Sequence, residues 1–282
     1  ADLIETGFDH GTDKALLARA LSLPSLDELA QGRGKINPHA IIKAKETLMK
    51  AVTDKYGEML ERLYMNNISP ETFEQTSQAR GQRALQSKVL AIMAAGNHSS
   101  VPTLAKAQYE DANNMTDRMG AINALSQIDT PYFDDVMDAY YDRFSYHALA
   151  TNKWFMQHAT RDSDSVLDKI KELRDSDDFE WTNPNRVRAL FMGFARMNPK
   201  AFHNPDGSGY ELFADAIIRL NNINPMMAAG LSKIMSCWND YTPDLAAPMK
   251  KQLERVAAQT DIADAVKEVV FKSLNINEAP KT

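Results

Sequence analysis

Two arginines carry the most distinctive chemistry in this sequence. Arg186 and Arg188 fall in the first turn and a half of a helix that Asn183 and Pro184 should open. Asparagine is a strong N-cap, and proline suits the first helical position. The helix dipole disfavours cations at that end, so their placement calls for a reason. In one reading they are solvated or salt-bridged on the surface. In the other they face a groove and grip a carboxylate or phosphate through the paired N–H donors of the guanidinium.

Other catalytic patterns are missing. The sequence holds no HExxH, so it lacks the two zinc-binding histidines and the glutamate base of that motif. It holds no P-loop, no GxGxxG and no CxxC. The DGSGY run at 206–210 is not a nucleophile elbow, because Asp206 stands where the first glycine is needed; it reads as a turn before a helix. The six histidines are His10, His39, His98, His147, His158 and His203. Only His147 and His158 could share a helical face, and at that separation they would lie roughly 16 Å apart, too far to bind one metal. His158, beside Trp154 and Phe155, reads as a core histidine. Asp175, Asp177 and Asp178 read as solvated loop charge.

Composition narrows the class further. The 282 residues are 44% hydrophobic and 25% charged, which is ordinary for a globular chain. A net charge of −6 argues against nucleic acid and against an anionic membrane as partners. The single cysteine, Cys237, excludes an internal disulfide framework, fits a reducing compartment and reads as a packed thiol; the expected location is cytoplasmic. No apolar run is long enough to span a membrane. The opening ADLIETGFDHGTDKALL has neither an initiator methionine nor a basic leader, and reads as a cut inside a longer protein.

The elements that position these residues are helices throughout. Ser25 and Glu28 have capping-box spacing. A capping residue followed by proline precedes helical patterns at 37, 69, 130, 183, 224 and 242. Val187, Leu190, Phe191 and Phe194 form one apolar stripe, and the helix should stop before Pro199. Gly57 is a place where the long helix after Pro38 could bend or divide, Thr116 could cap the helix carrying Met119 and Ile122, and Ser163 or Asp164 the one carrying Leu167. Pro184 and Pro225 lie 41 residues apart, a helix-pair period. Each pair has one apolar stripe per helix and can bury them only against its neighbours. The expected fold is all-α: a two-layered, HEAT- or armadillo-like superhelix forming one domain over 1–282, with a frayed tail at 275–282.

NPNRVRALFMGFARMNPKAFHNPDGSGY at 183–210 resembles the C-terminal domain of bacterial aminopeptidase N, of the gluzincin zinc metallopeptidases. ALSLPSLDELA, EDANNMTDRMGAINAL and NKWFMQHAT extend the resemblance along most of the chain in the family's order. GxMEN, with which that family holds the substrate's free amine, is absent along with HExxH. The resemblance implies a non-catalytic domain that closes over the parent's zinc-containing catalytic domain, encloses its chamber and gates or orients peptides. Its partners would be that catalytic domain and peptides passing through the channel, with no metal in this chain. Arg188, with Arg186 and Asn185, would line the channel and attract the peptide's C-terminal carboxylate. The parent would remove N-terminal residues, small or basic ones, by zinc-activated water. One departure stands out: where the family pattern reads NPQxxxR, this sequence has Met226 and Gly230. The alternative is a free-standing helical-repeat scaffold that binds a protein or peptide in its concave face.

Overall fold

The computed structural model describes residues 2–9, 11–32, 34–70 and 72–276. Among them the chain is all-α, as its periodicity requires, and the extended pairing is a single parallel bridge between Ile36 and Tyr241. Its contacts gather into two compact units, residues 1–29 with 42–146 and residues 30–41 with 147–282.

The first unit holds α1 (Asp2–Glu5), α2 (Lys14–Ala20), most of α3 (Leu26–Ala30), the bulk of α4 (Pro38–Met65), α5 (Ser77–Ala95), α6 (Val101–Asp111), α7 (Met115–Leu125) and α8 (Tyr132–Phe144). Helix α5 packs on α2 and α7, and α7 packs on α6. Leu85, Val89, Met93, Ala121, Ile122, Leu125, Phe133 and Met137 are withdrawn from water. Ser25 and Glu28 form the expected capping box: the Ser25 amide donates to the Glu28 carboxylate at 2.7 Å, and the Glu28 amide donates to Ser25 Oγ at 3.2 Å.

Local expectations failed where side-chain capping chose another residue. Helix α5 begins not at Ser69-Pro70 but after Thr76, whose hydroxyl accepts the Ala79 amide at 3.1 Å. Asn114 rather than Thr116 caps α7, accepting the Asp117 amide at 3.0 Å. Gly57 does not divide α4; the ring of His98 lies where a Cβ would stand, 2.7 Å away.

The second unit holds α9 (Ala148–Thr160), α10 (Val166–Arg174), α11 (Pro184–Val187), a π-helical turn (Arg188–Met192), α12 (Gly193–Met197), α13 (Pro199–Phe202), α14 (Ser208–Asn221), α15 (Pro225–Met235), α16 (Pro243–Ala257) and α17 (Asp264–Leu274). Helix α10 begins after Ser165, which makes no side-chain cap, rather than at Ser163 or Asp164. One continuous core runs from Phe155 to Val270. Asn224 caps α15 as expected, accepting the Met227 amide at 3.0 Å. Asn275 ends α17 in the left-handed conformation, and the remainder of the expected tail, 277–282, lies outside the described residues. Two asparagines tie successive helices. Asn198 accepts the Ala201 amide at 3.2 Å while donating to the carbonyls of Ala159 at 3.3 Å and Arg161 at 2.9 Å. Asn221 donates to Asp261 O and accepts from the Ala263 amide, both at 2.8 Å.

The turn at 204–209 works through its glycines. Gly207 has φ +81°, and a Cβ there would meet Pro248 at 3.0 Å. A Cβ on Gly209 would collide with the carbonyls of Ala201 and Phe202, which are backbone and cannot swing away. Gly230, in the interior of α15, has open space instead. Gly209→Ala should therefore lower unfolding free energy by about 1–3 kcal/mol. Gly230→Ala should raise it by about 0.5–1 kcal/mol through helix propensity. Urea midpoints of the two variants measure both signs.

Candidate functional site

Asn183 opens the helix that carries both arginines. Its side-chain oxygen accepts the amides of Asn185 at 3.1 Å and Arg186 at 3.3 Å. The expected stripe of Val187, Leu190, Phe191 and Phe194 is fully buried. The helix then widens: the Gly193 amide reaches back to the carbonyl of Arg188, an i→i+5 bond that makes a π turn. Met156 of α9 packs within 3.1 Å of the place where a Gly193 Cβ would stand.

The structure separates the two arginines. Residues two apart on a helix point about 200° apart, so Arg186 and Arg188 cannot serve one groove together. Arg186 turns inward and is 7% exposed. It donates to the carbonyl of Asp178 at 2.8 Å, and its guanidinium lies 4.7 Å from the ring centre of Phe155. That ring begins an edge-to-face series, with Phe155 and Phe179 at 5.5 Å, Phe179 and Trp181 at 5.1 Å, and Phe179 and Phe191 at 5.9 Å. Arg186 therefore anchors the 178–181 loop to the helix.

Arg188 turns outward. It and Asn185 are exposed, and Nη1 of Arg188 donates to Oδ1 of Asn185 at 3.2 Å. Among the described residues no ion pair is made by Arg188. The result is a surface cation aligned by a neighbouring amide, with the rest of its planar donor set facing solvent. Met226 is 75% exposed and Gly230 opens onto empty space, so both departures from the family pattern lie at open positions.

Several of the surrounding charges form surface ion pairs. Asp175 is exposed, as expected of solvated loop charge, and lies 3.6 Å from Arg174 and 3.8 Å from Arg219, while Asp215 lies 2.7 Å from Arg255. Arg219 also covers Trp181 at 4.3 Å.

No local spacing signals the polar cluster around His203. Its Nδ1 lies 2.8 Å from the Tyr210 hydroxyl, its carbonyl lies 2.8 Å from Nε2 of His39, and its ring lies 4.7 Å from that of Tyr241. These residues are scattered over 200 positions, so spacing could not assemble them. His158 is buried against Trp154, ring centres 4.6 Å apart, as expected of a core residue. His10 lies outside the described residues. Among the described residues no three His, Cys, Asp or Glu side chains converge to hold a metal.

The profile of a family described as "Domain of unknown function (DUF3458_C) ARM repeats" matches residues 2–275. The chain belongs to this family. It is 30% identical over 266 residues to aminopeptidase N of Caulobacter vibrioides, and 31% identical over 267 residues to aminopeptidase N of Escherichia coli. These alignments cover 94% and 95% of this chain but 31% of each relative, so the chain spans about a third of their length. The crystal structure of Legionella pneumophila aminopeptidase A in complex with aspartic acid superposes with a TM-score of 0.86 at 28% identity, covering 97% of this chain and 33% of that one. The chain is thus a C-terminal helical domain of the aminopeptidase N type. No helix among the described residues is long and apolar enough to cross a membrane.

Burial holds both His158 and His203 down to a pKa of about 3, with nearby cations adding to the effect at His158 and His39 adding to it at His203. A histidine so depressed favours folding while neutral. Its contribution is complete above the unfolded value near 6.5 and is lost as pH falls toward 3. Lowering pH from 7 to 5 should cost about 2 kcal/mol of unfolding free energy per histidine, and His203→Gln should remove about half of the combined loss. Urea melts at the two pH values, on native chain and variant, measure the slope.

Proposed function

We propose that this chain is the non-catalytic C-terminal domain of a zinc-dependent aminopeptidase N, and that its two units act there as one domain. It would cover the catalytic domain, wall the chamber in which peptides lose their N-terminal residues, and gate or orient those peptides. Zinc and the reacting groups would belong to the remaining two thirds of the protein. No step of the chemistry passes through residues of this chain.

The observation that carries the proposal is Arg188. It is an exposed guanidinium at the unfavourable end of a helix, aligned by Asn185, on a chain whose relatives bear the name aminopeptidase N. A cation there has a use if an anion arrives from outside, and the C-terminal carboxylate of a peptide is the anion every substrate carries. Arg188 would draw that carboxylate and Asn185 would hold the guanidinium in line. Arg186 would act from the core, fixing the helix that presents them. With its C-terminus held, a peptide of suitable length would present its N-terminus to the distant catalytic centre.

In the full-length parent, Arg188→Ala should lower kcat/KM for tri- and tetrapeptides about tenfold, the worth of one charge-assisted contact. It should leave a single-residue alanyl anilide, which has no C-terminal carboxylate, nearly unchanged. Equal losses on both substrates would assign Arg188 a structural role instead.

A further inference from the structure

Helix α7 carries a buried cation just beyond its Asn114 cap, at the end where the helix dipole disfavours one. Arg118 is 6% exposed. Its guanidinium carbon lies 5.9 Å from the ring centre of Tyr109 on α6 and 5.7 Å from that of Phe144 on α8. A second arginine, Arg143, is exposed on α8 and lies against the same Phe144 ring at 5.4 Å. The packing of α6, α7 and α8 on one another thus brings both guanidiniums to a single ring in the first unit.

Neither cation has an acceptor. Among the described residues Arg118 makes no hydrogen bond and no ion pair, and Arg143 makes none either. Nε of Arg118 and the hydroxyl of Tyr109 are sealed from water without a partner. Nη1 and Nη2 of Arg118, likewise unbonded, still reach solvent. The adjacent carboxylate is engaged elsewhere: Asp117 Oδ2 accepts from Asn114 Nδ2 at 2.7 Å. Burial, and after it the charge of Arg143, lowers the pKa of Arg118, so the second cation adds to the cost of the first. A guanidinium nevertheless keeps its proton. Two aromatic faces at nearly 6 Å offset only part of the cost of withdrawing that charge from water. An anion arriving at the two Nη atoms would offset the rest.

We propose that Arg118 and Arg143, around the ring of Phe144, form a binding site for a phosphate group, either free or at the end of a small monoester. Nη1 and Nη2 of Arg118 would donate to two phosphate oxygens through the planar fork that suits this ligand. The side chain of Arg143 is exposed and unbonded, so it is free to close on the anion from the surface. A dianion matches two unpaired guanidiniums in charge. The site lies in the first unit and does not rest on the reading of Arg188.

The test is titration of the full 282-residue chain with sodium phosphate at constant ionic strength, followed by backbone-amide chemical shifts, with acetate as the monoanion and glycerol 3-phosphate as the monoester. Saturable shifts centred on Arg118, Arg143 and Phe144 are expected, with phosphate binding about tenfold more tightly than acetate. Tighter binding of glycerol 3-phosphate than of phosphate would identify the monoester as the ligand, and the reverse the free ion. Arg143→Glu, at an exposed position where the fold tolerates it, should weaken phosphate about tenfold by placing a carboxylate within reach of Arg118. Arg118→Lys, which keeps the charge and loses the fork, should also weaken it about tenfold. No saturation at constant ionic strength, equal affinity for acetate, or unchanged binding by a folded Arg143→Glu would overturn the proposal and leave Arg118 as a packing residue of Tyr109 and Phe144.

Discussion

A short helix with one apolar stripe has no means of covering that stripe itself, and in this chain only neighbouring helices are available to do so. The consequences are plain in the second unit. Phe191 and Phe194 are buried against α9 and the helices that follow, within one uninterrupted core. Stacking leaves helix ends close together, and their unsatisfied amides and carbonyls must be answered locally. Asn198 and Asn221 answer them twice over, each bonding one helix start or loop amide and at least one carbonyl from another segment. The repeat is therefore held by apolar burial across faces and by asparagine amides at the seams.

That arrangement also explains what the helix of 184–197 can offer to solvent. Its stripe must face the core, which fixes its rotation and sends Arg186 inward and Arg188 outward. Arg186 pays back its burial through the Phe155 ring and the Asp178 carbonyl. The π turn that follows widens the helix where Met156 packs against Gly193. A surface cation is thus presented by a rigidly buried element rather than by a loop.

The all-α class, the Asn183 and Asn224 caps, the Ser25–Glu28 box and the inward stripe were legible in the sequence because each depends on residues within one turn. The choices between Thr116 and Asn114, or between Ser69 and Thr76, were not, because several residues of the right type stood close together and tertiary packing selected one. The pairing of Arg186 with Arg188 as a joint site was a reading of adjacency, and helical geometry undoes it. The His203 cluster and the two arginines at Phe144 draw on residues far apart in the chain, which no local spacing reveals. Family resemblance supplied what local pattern lacked for Arg188, since nothing in the helix itself says which anion it would meet.

The proposed function rests on a division of labour, in which the reacting groups would lie outside this chain and the helices around Arg188 would shape where a peptide goes. Turnover of an alanyl anilide by the purified chain alone, with and without added zinc, tests that division most directly. The account predicts no hydrolysis above the uncatalysed background in either condition. Hydrolysis that co-purifies with the chain to homogeneity would contradict it.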